Sequence, residues 1–340
     1  MIATGCRYRA MIIKWMASVV IVGLFFTSCS NDGENPDGQP KGKGSTVEWE
    51  LFHEFAPGEV IGNFAISDDA KWLFYTDAHE VIHRIGKSTG EKKALTSNPT
   101  GASYVHYISG KLYLLYEKGY ESFFAVSDNF GETITHYHVG SYTNFAAGWY
   151  DGTFMRLLVN RMLVMPNGDL ILPHIMDKAN NATYLEDNKL IAVSTDGGAS
   201  WNRKNSDHSY ISARQGNRLF AIGEGWTGVD AFPSELYYSD DAGTSWKASD
   251  LTYFPQATDR ENNLIAGSGN TIYKLKGKTW TEYTWEKNNQ PLVSIVGLKY
   301  EGERGDDPNG RQMDDMEFDA DNNIYVIGAD RTAIYRTKLD

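Results

Sequence analysis

The final twenty residues, "DNNIYVIGADRTAIYRTKLD" (Asp321–Asp340), decide how the rest of the chain is read. A polar Asp-Asn-Asn turn opens a run of β-branched, aromatic and apolar residues. A second polar break at Ala329–Arg331 follows, then another β run. Turn chemistry bounding such runs predicts antiparallel hairpins. The same unit recurs upstream as "DDAKWLFYTD" from Asp68, "SGKLYLLYE" from Ser109, "PNGDLILPHI" from Pro166, "QGNRLFAIGE" from Gln215 and "ENNLIAGSG" from Glu261. Six copies align on Leu73, Leu112, Leu170, Leu219, Leu264 and Ile324, spaced by 39, 58, 49, 45 and 60 residues. Those spacings bracket one four-stranded blade of a β-propeller.

Each hairpin is followed by a third β run, such as "EVIHRIG" from Glu80 or "ELYYSDD" from Glu235. In the first five units a fourth run comes next, as in "ITHYHVG" from Ile134 and "WTEYTW" from Trp280. The sixth unit reaches Asp340 without one. The unassigned run "TVEWELFHEF" (Thr46–Phe55) can supply the missing strand and close the ring, which removes the edges an open array would expose. No helical period is sustained anywhere between the turns. The expectation is an all-β, six-bladed propeller over residues 46–340, closed by an N-terminal strand. Seven blades is the alternative, because the two longest spacings could hold further strands.

One turn is spelled twice, as "STDGGASW" (Ser194–Trp201) and "SDDAGTSW" (Ser239–Trp246), each directly after a third strand. A worn copy is "SDNFGETI" (Ser127–Ile134). The acid can accept hydrogen bonds from amides of its own turn, the glycine permits positive φ, and the aromatic ring can pack into the blade. The pattern Ser-x-Asp-x-Gly-x-Ser-Trp, carried by Ser194, Asp196, Gly198 and Trp201 and again by Ser239, Asp241, Gly243 and Trp246, resembles the Asp-box of sialidase-like (BNR-repeat) propellers. As structural clips these turns would lie on the face opposite the loops that join blades.

Ahead of the propeller, Arg7, Arg9 and Lys14 precede an uncharged apolar run, Trp15–Phe26, that is short for a membrane span and has the order of a secretory signal. Thr27 and Ser28 then precede Cys29. This resembles a lipoprotein signal of the Bacteroides type, and the resemblance implies cleavage before Cys29, lipidation of that thiol and an outer-membrane anchor, with the cell surface the expected location. Translation could begin at Met1 or at Met11. Residues 1–28 are thus expected to be a signal peptide and 29–45, rich in Asn, Asp, Gly, Pro and Lys, a flexible tether. Cys6 falls in the removed segment, so no disulfide is expected in the mature chain. Loss of three cations lowers the formal charge from −12 to −15, a surface that repels nucleic acid.

The long segments between strands all fall on the face opposite the repeated turns: 141–154, 176–188, 223–234 and 287–312. Loop growth on one face marks a working face. Tyr142, Phe145, Trp149, Tyr150 and Phe154 crowd one segment, and Trp226 and Phe232 lie in another. Flat rings suit the C–H faces of sugars. Arg156, Arg161, Arg214 and Arg260 fall at or near first strands, where they could line the central shaft and meet an acidic group. The expected ligand-binding set is therefore Tyr142, Trp149, Tyr150, Arg156, Arg214, Trp226, Phe232 and Arg260.

A sialidase-like hydrolase would need three arginines, a tyrosine nucleophile and acid/base carboxyls. The Arg-Ile-Pro string of that family is absent, and "HRIG" at His83 sits on a third strand, so no catalytic role passes to Arg84. Acids on the working face are Asp151, Glu186, Asp187, Glu224, Asp230, Asp259, Asp314 and Asp315, which read equally well as solvated loop residues. His136 and His138 share a strand face without a third metal ligand, and "DADNN" at Asp319 lacks a calcium-loop spacing. No cofactor and no metal is expected. The expected function is a monomeric lipoprotein that binds an extracellular carbohydrate or glycoconjugate. A glycoside hydrolase or lyase and a protein-interaction platform are the alternatives.

Overall fold

The computed structural model describes residues 41–99, 103–119, 121–141, 156–157, 162–176, 190–208, 211–222, 235–268, 271–284, 316–328 and 331–339. They form six small antiparallel sheets and no helix among the described residues. Two strands, β1 (Lys41–Thr46) and β2 (Glu50–Glu54), precede the first blade. That blade contains β3 (Ile61–Ile66), β4 (Trp72–Asp77), β5 (Ile82–Gly86) and β6 (Lys92–Ala94). Blade two contains β7 (Ser103–Ile108), β8 (Lys111–Lys118), β9 (Glu121–Ser127) and β10 (Thr135–Ser141). In blade three the inner position is shared by β11 (Arg156–Leu157) and β12 (Leu163–Val164), both on β13 (Leu170–Met176). Next come β14 (Leu190–Ser194) and β15 (Asn202–Asn205).

Blade four runs through β16 (Ile211–Gln215), β17 (Arg218–Ile222), β18 (Leu236–Ser239) and β19 (Lys247–Ala248). Blade five follows with β20 (Ala257–Thr258), β21 (Leu264–Ser268), β22 (Thr271–Lys276) and β23 (Thr279–Thr284). The sixth has β24 (Met316–Phe318), β25 (Asn323–Ile327) and β26 (Ala333–Lys338), and its outer strand is β2. Glu50 sits opposite Arg336 and Leu51 opposite Tyr335, antiparallel, so the N-terminal run completes the last blade as its sequence required.

Each hydrophobic cluster joins two neighbouring sheets, and together the clusters go once around the ring. Val105, Leu112 and Leu114 of blade two pack on Ala65 and Phe74 of blade one, and Ile324 and Val326 of blade six pack on Ile265 and Ile272 of blade five. Tyr325, Ile327 and Ile334 of blade six meet Ile61, Phe64 and Leu73 of blade one, which closes the circuit. Direct packing of blade five on blade six and of six on one leaves six blades rather than seven. Because every sheet is covered on both faces, its second strand is continuously buried: β8 has six buried residues between exposed lysines. The six aligned residues, Leu73, Leu112, Leu170, Leu219, Leu264 and Ile324, are all between 0% and 1% exposed. Burying each contributes about 1.5–3 kcal/mol.

The repeated turns link third and fourth strands and carry one hydrogen-bond network three times. Ser194 Oγ donates to Asp196 Oδ1 (2.8 Å), Gly198 N donates to Ser194 Oγ (2.8 Å), and Ser200 N donates to Asp196 Oδ1 (2.9 Å). Ser239, Asp241, Gly243 and Ser245 repeat it at 2.7, 2.8 and 2.8 Å. In the worn copy Asn129 replaces the acid, with Ser127 Oγ to Asn129 Oδ1 at 2.9 Å and Gly131 N to Ser127 Oγ at 2.8 Å. Hydrogen bonds from the Ser200 hydroxyl and amide and from the Ser194 hydroxyl hold the Asp196 pKa down at about 2. The glycine does more than permit φ of +96°: a Cβ at Gly198 would lie 1.9 Å from Phe124 of the preceding blade. At Gly243 it would meet Ile191 at 2.8 Å, and at Gly131 Leu95 at 2.7 Å, so each turn is also a blade-to-blade contact.

One finding departs from composition. Residues 41–45, read above as tether, belong to β1, which adds a fifth strand to blade five, parallel to β23 with Lys41 opposite Trp280. Nothing apolar marks "KGKGST" as a strand. Its fit depends on Gly44, where a Cβ would stand 2.5 Å from the Glu282 carbonyl oxygen.

Candidate functional site: the central shaft

The inner strands surround a cavity of about 490 Å³. Its walls come from β7, β12, β16, β20 and β24 and from the turns that lead from first to second strands, including Ser109, Gly216 and Asn262. That size suits a ligand of one or two sugar rings. The shaft therefore reaches the face that carries the repeated turns. At the opposite face β10, β13, β17 and β23 all end, at Ser141, Met176, Ile222 and Thr284, and hand the chain over to the four long segments.

Two of the expected arginines meet at the first-turn end of the shaft. Arg260 is tied down: its guanidinium donates to the Phe318 carbonyl from Nε (3.0 Å) and Nη2 (2.7 Å) and pairs with Asp68 at 3.0 Å. Asp68 in turn accepts from Gly110 N at 3.0 Å, so one arginine links blades five, six, one and two. Arg214 is different. Its Nη1 donates to Asn262 Oδ1 at 3.5 Å, and among the described residues it pairs with no carboxylate. Burial, and the charge of Arg260 beside it, lower the Arg214 pKa from its ordinary value.

Further into the shaft, His106 of β7 and Glu317 of β24 approach to 3.3 Å across the bore. The His106 ring lies nearly parallel to Tyr104, with centroids 6.2 Å apart. Neither His106 nor Glu317 was expected. Both sit in short inner strands whose neighbours are apolar, and no turn or repeat marks them. Asp259, expected as a possible acid, is engaged structurally: it pairs with Lys274 at 3.0 Å with both side chains almost wholly buried. It also accepts from Asn263 N (2.8 Å), Glu261 N (3.0 Å) and Asn322 Nδ2 (3.1 Å). Burial is the largest single effect and raises its pKa, but the hydrogen bonds from Asn263, Asn322 and Lys274 together outweigh it and the pKa is lowered.

Arg156 lies in β11 opposite Met176, on the inner position of blade three. Tyr142, Trp149, Tyr150, Arg161, Trp226 and Phe232 lie outside the described residues, as do Cys29 and the acids Asp151, Glu186, Asp187, Glu224, Asp230, Asp314 and Asp315. Arg84 is on the third strand β5, where its guanidinium stacks over Trp72 (4.4 Å) and pairs with Glu132 (2.7 Å), away from the shaft-lining set. His136 and His138 are exposed on β10, and His136 Nδ1 is 2.9 Å from the Tyr116 hydroxyl.

No family model matches the chain, and no curated protein matches it. Among solved structures the chain is similar to YCF48 from Cyanidioschyzon merolae, at 12% identity over 85% of this chain and 98% of that one, with a TM-score of 0.41. It is similar to an oligogalacturonate lyase from Vibrio parahaemolyticus, at 10% identity over 88% and 99% with a TM-score of 0.42. A PQQ-bound aldose sugar dehydrogenase from Streptomyces coelicolor gives 12% identity over 88% and 100% and a TM-score of 0.44. The propeller is established by the strand pairings and the six inter-blade cores described above.

Proposed function

We propose that this propeller binds a carbohydrate or glycoconjugate at the face where the long segments emerge, and that Cys29 anchors it by lipid to the outer membrane. The observation that carries the reading is topological. Two fourth strands, β10 and β23, and two second strands, β13 and β17, all end on one face of the propeller, where the four long segments begin, and two of those segments carry clusters of aromatic residues. The N-terminal strand β1 begins on the other face. It runs parallel to β23 and starts opposite Trp280, beside the turn Gly277–Lys278, on the side of the repeated turns. The repeated Ser-x-Asp-x-Gly turns, similar to sialidase-like Asp-boxes, act as structural clips on that other face. A hydrolase needs two free carboxyls about 5–10 Å apart. Among the described shaft-lining residues the acids are Glu317 and Asp259, and Asp259 is committed to Lys274.

The test is a glycan array probed with protein beginning at Lys41, so that β1 is retained, alongside Trp149→Ala and Trp226→Ala. Binding that both substitutions weaken supports the reading. Absence of binding to any glycan removes it. Anchoring is checked separately by membrane fractionation of Cys29→Ser, which should leave the protein soluble.

A further inference from the structure

The geometry points to an oxyanion-binding subsite at the first-turn end of the shaft, with Arg214 as its cation and a carboxylate or sulfate group as the ligand. It goes beyond the carbohydrate reading, since it specifies a charge and a different end of the bore.

The inference comes from matching the charges that line the cavity. Arg260 is held by Asp68 and by two main-chain carbonyls, those of Phe318 and Tyr107. Asp259 is matched by Lys274, and Glu317 by His106. Arg214 is left with one long contact to Asn262 and no carboxylate among the described residues. In a chain whose formal charge is −12, with 44 acidic residues against 32 basic ones, a partly buried arginine without an acid is the unusual feature. It also lies next to a second arginine, Arg260, whose like charge an incoming anion would offset.

Access and shape favour an oxyanion over chloride. The guanidinium contacts the exposed Asn262, whose Oδ1 also accepts from Gly216 N at 2.7 Å, so a group can arrive from solvent at that face. A planar guanidinium matches two oxygens of one group in a bidentate pair, which a spherical ion cannot satisfy. Arg260 cannot substitute, because its Nε and Nη2 already donate to Phe318. It contributes long-range attraction and holds the turns that form the mouth.

The test is isothermal titration of the full chain in non-ionic detergent with sodium sulfate, acetate, galacturonate and, as neutral control, galactose, at ionic strength fixed with sodium chloride. Saturable binding of sulfate or acetate to the wild type, weakened at least tenfold in Arg214→Gln, is expected. Arg214→Lys, which keeps the charge and loses the fork, should fall between the two and guards against a fold defect in the glutamine variant. Galacturonate binding more tightly than acetate would identify a sugar acid as the source. Acetate and sulfate binding with no gain for galacturonate would keep the subsite while counting against a sugar. Equal binding by wild type and both variants, or no saturable binding of any anion, overturns the proposal.

Discussion

Replacing Gly198 by alanine tests whether the repeated turns lock one blade to the next. Gly198 has φ of +96°, and a Cβ there would sit 1.9 Å from Phe124 Cε1 and 2.3 Å from Cδ1. Its neighbour Gly197 also has positive φ, +73°, but nothing within 4 Å of the added carbon. Both alanines therefore suffer backbone strain of about 1–3 kcal/mol. Only Gly198→Ala must also displace a fully buried ring, an overpacking cost of about 1–3 kcal/mol more. Phe124 meets the Trp201 ring edge-on at 5.3 Å, so tryptophan fluorescence during urea unfolding reports on the contact. The expected order of midpoints is wild type, then Gly197→Ala, then Gly198→Ala, at unchanged slope. Phe124→Leu should absorb part of the Gly198→Ala cost in a double-mutant cycle. Equal costs at 197 and 198, with additive behaviour toward Phe124, would refute the blade-locking role.

Two further outcomes follow from buried charge. His53 lies in the closing strand β2, with Lys87 Nζ 3.3 Å away, and burial followed by the Lys87 charge lowers its pKa from 6.5 to about 4. The unfolded chain takes up this proton first as pH falls, so stability is full above 6.5 and declines toward 4. After allowance for partial exposure of the ring the loss is about 1–2 kcal/mol. His53→Gln should flatten the urea midpoint between pH 6.5 and 4, and an unchanged slope there would contradict the assignment. Lys274→Met leaves the Asp259 carboxylate buried without its cation, which costs about 3–5 kcal/mol. Adding Asp259→Asn should recover much of it, and a single variant as stable as wild type in urea would show that the pair contributes nothing.

The fold was legible because each blade repeats one requirement: a polar corner, then a strand covered on both faces. Leu73 to Ile324 obey it six times, and Thr46–Phe55 was the one β run left to complete the last blade. β1 escaped because a strand that adds by backbone pairing alone, with Gly44 fitting against Glu282, needs no apolar pattern. At the shaft, Arg214 and Arg260 were reachable by counting first-strand positions, although the sequence did not distinguish the tethered arginine from the one without an acid. His106 and Glu317 were not reachable. Their partnership spans 211 residues and depends on ring closure, which places β7 and β24 across one bore.

Ring closure itself can be measured in solution. With Cys6 and Cys29 replaced by serine, Glu50→Cys and Arg336→Cys put two thiols on directly opposed residues of β2 and β26. Opposed residues have Cβ atoms about 4.5–5.5 Å apart, within reach of a disulfide after small adjustment. Mild oxidation should give a single, monomeric crosslinked species with raised resistance to urea, because the bond ties the two ends of the propeller. Free thiols after oxidation, or crosslinks found only between molecules, would mean that the ring is not closed by its N-terminal strand.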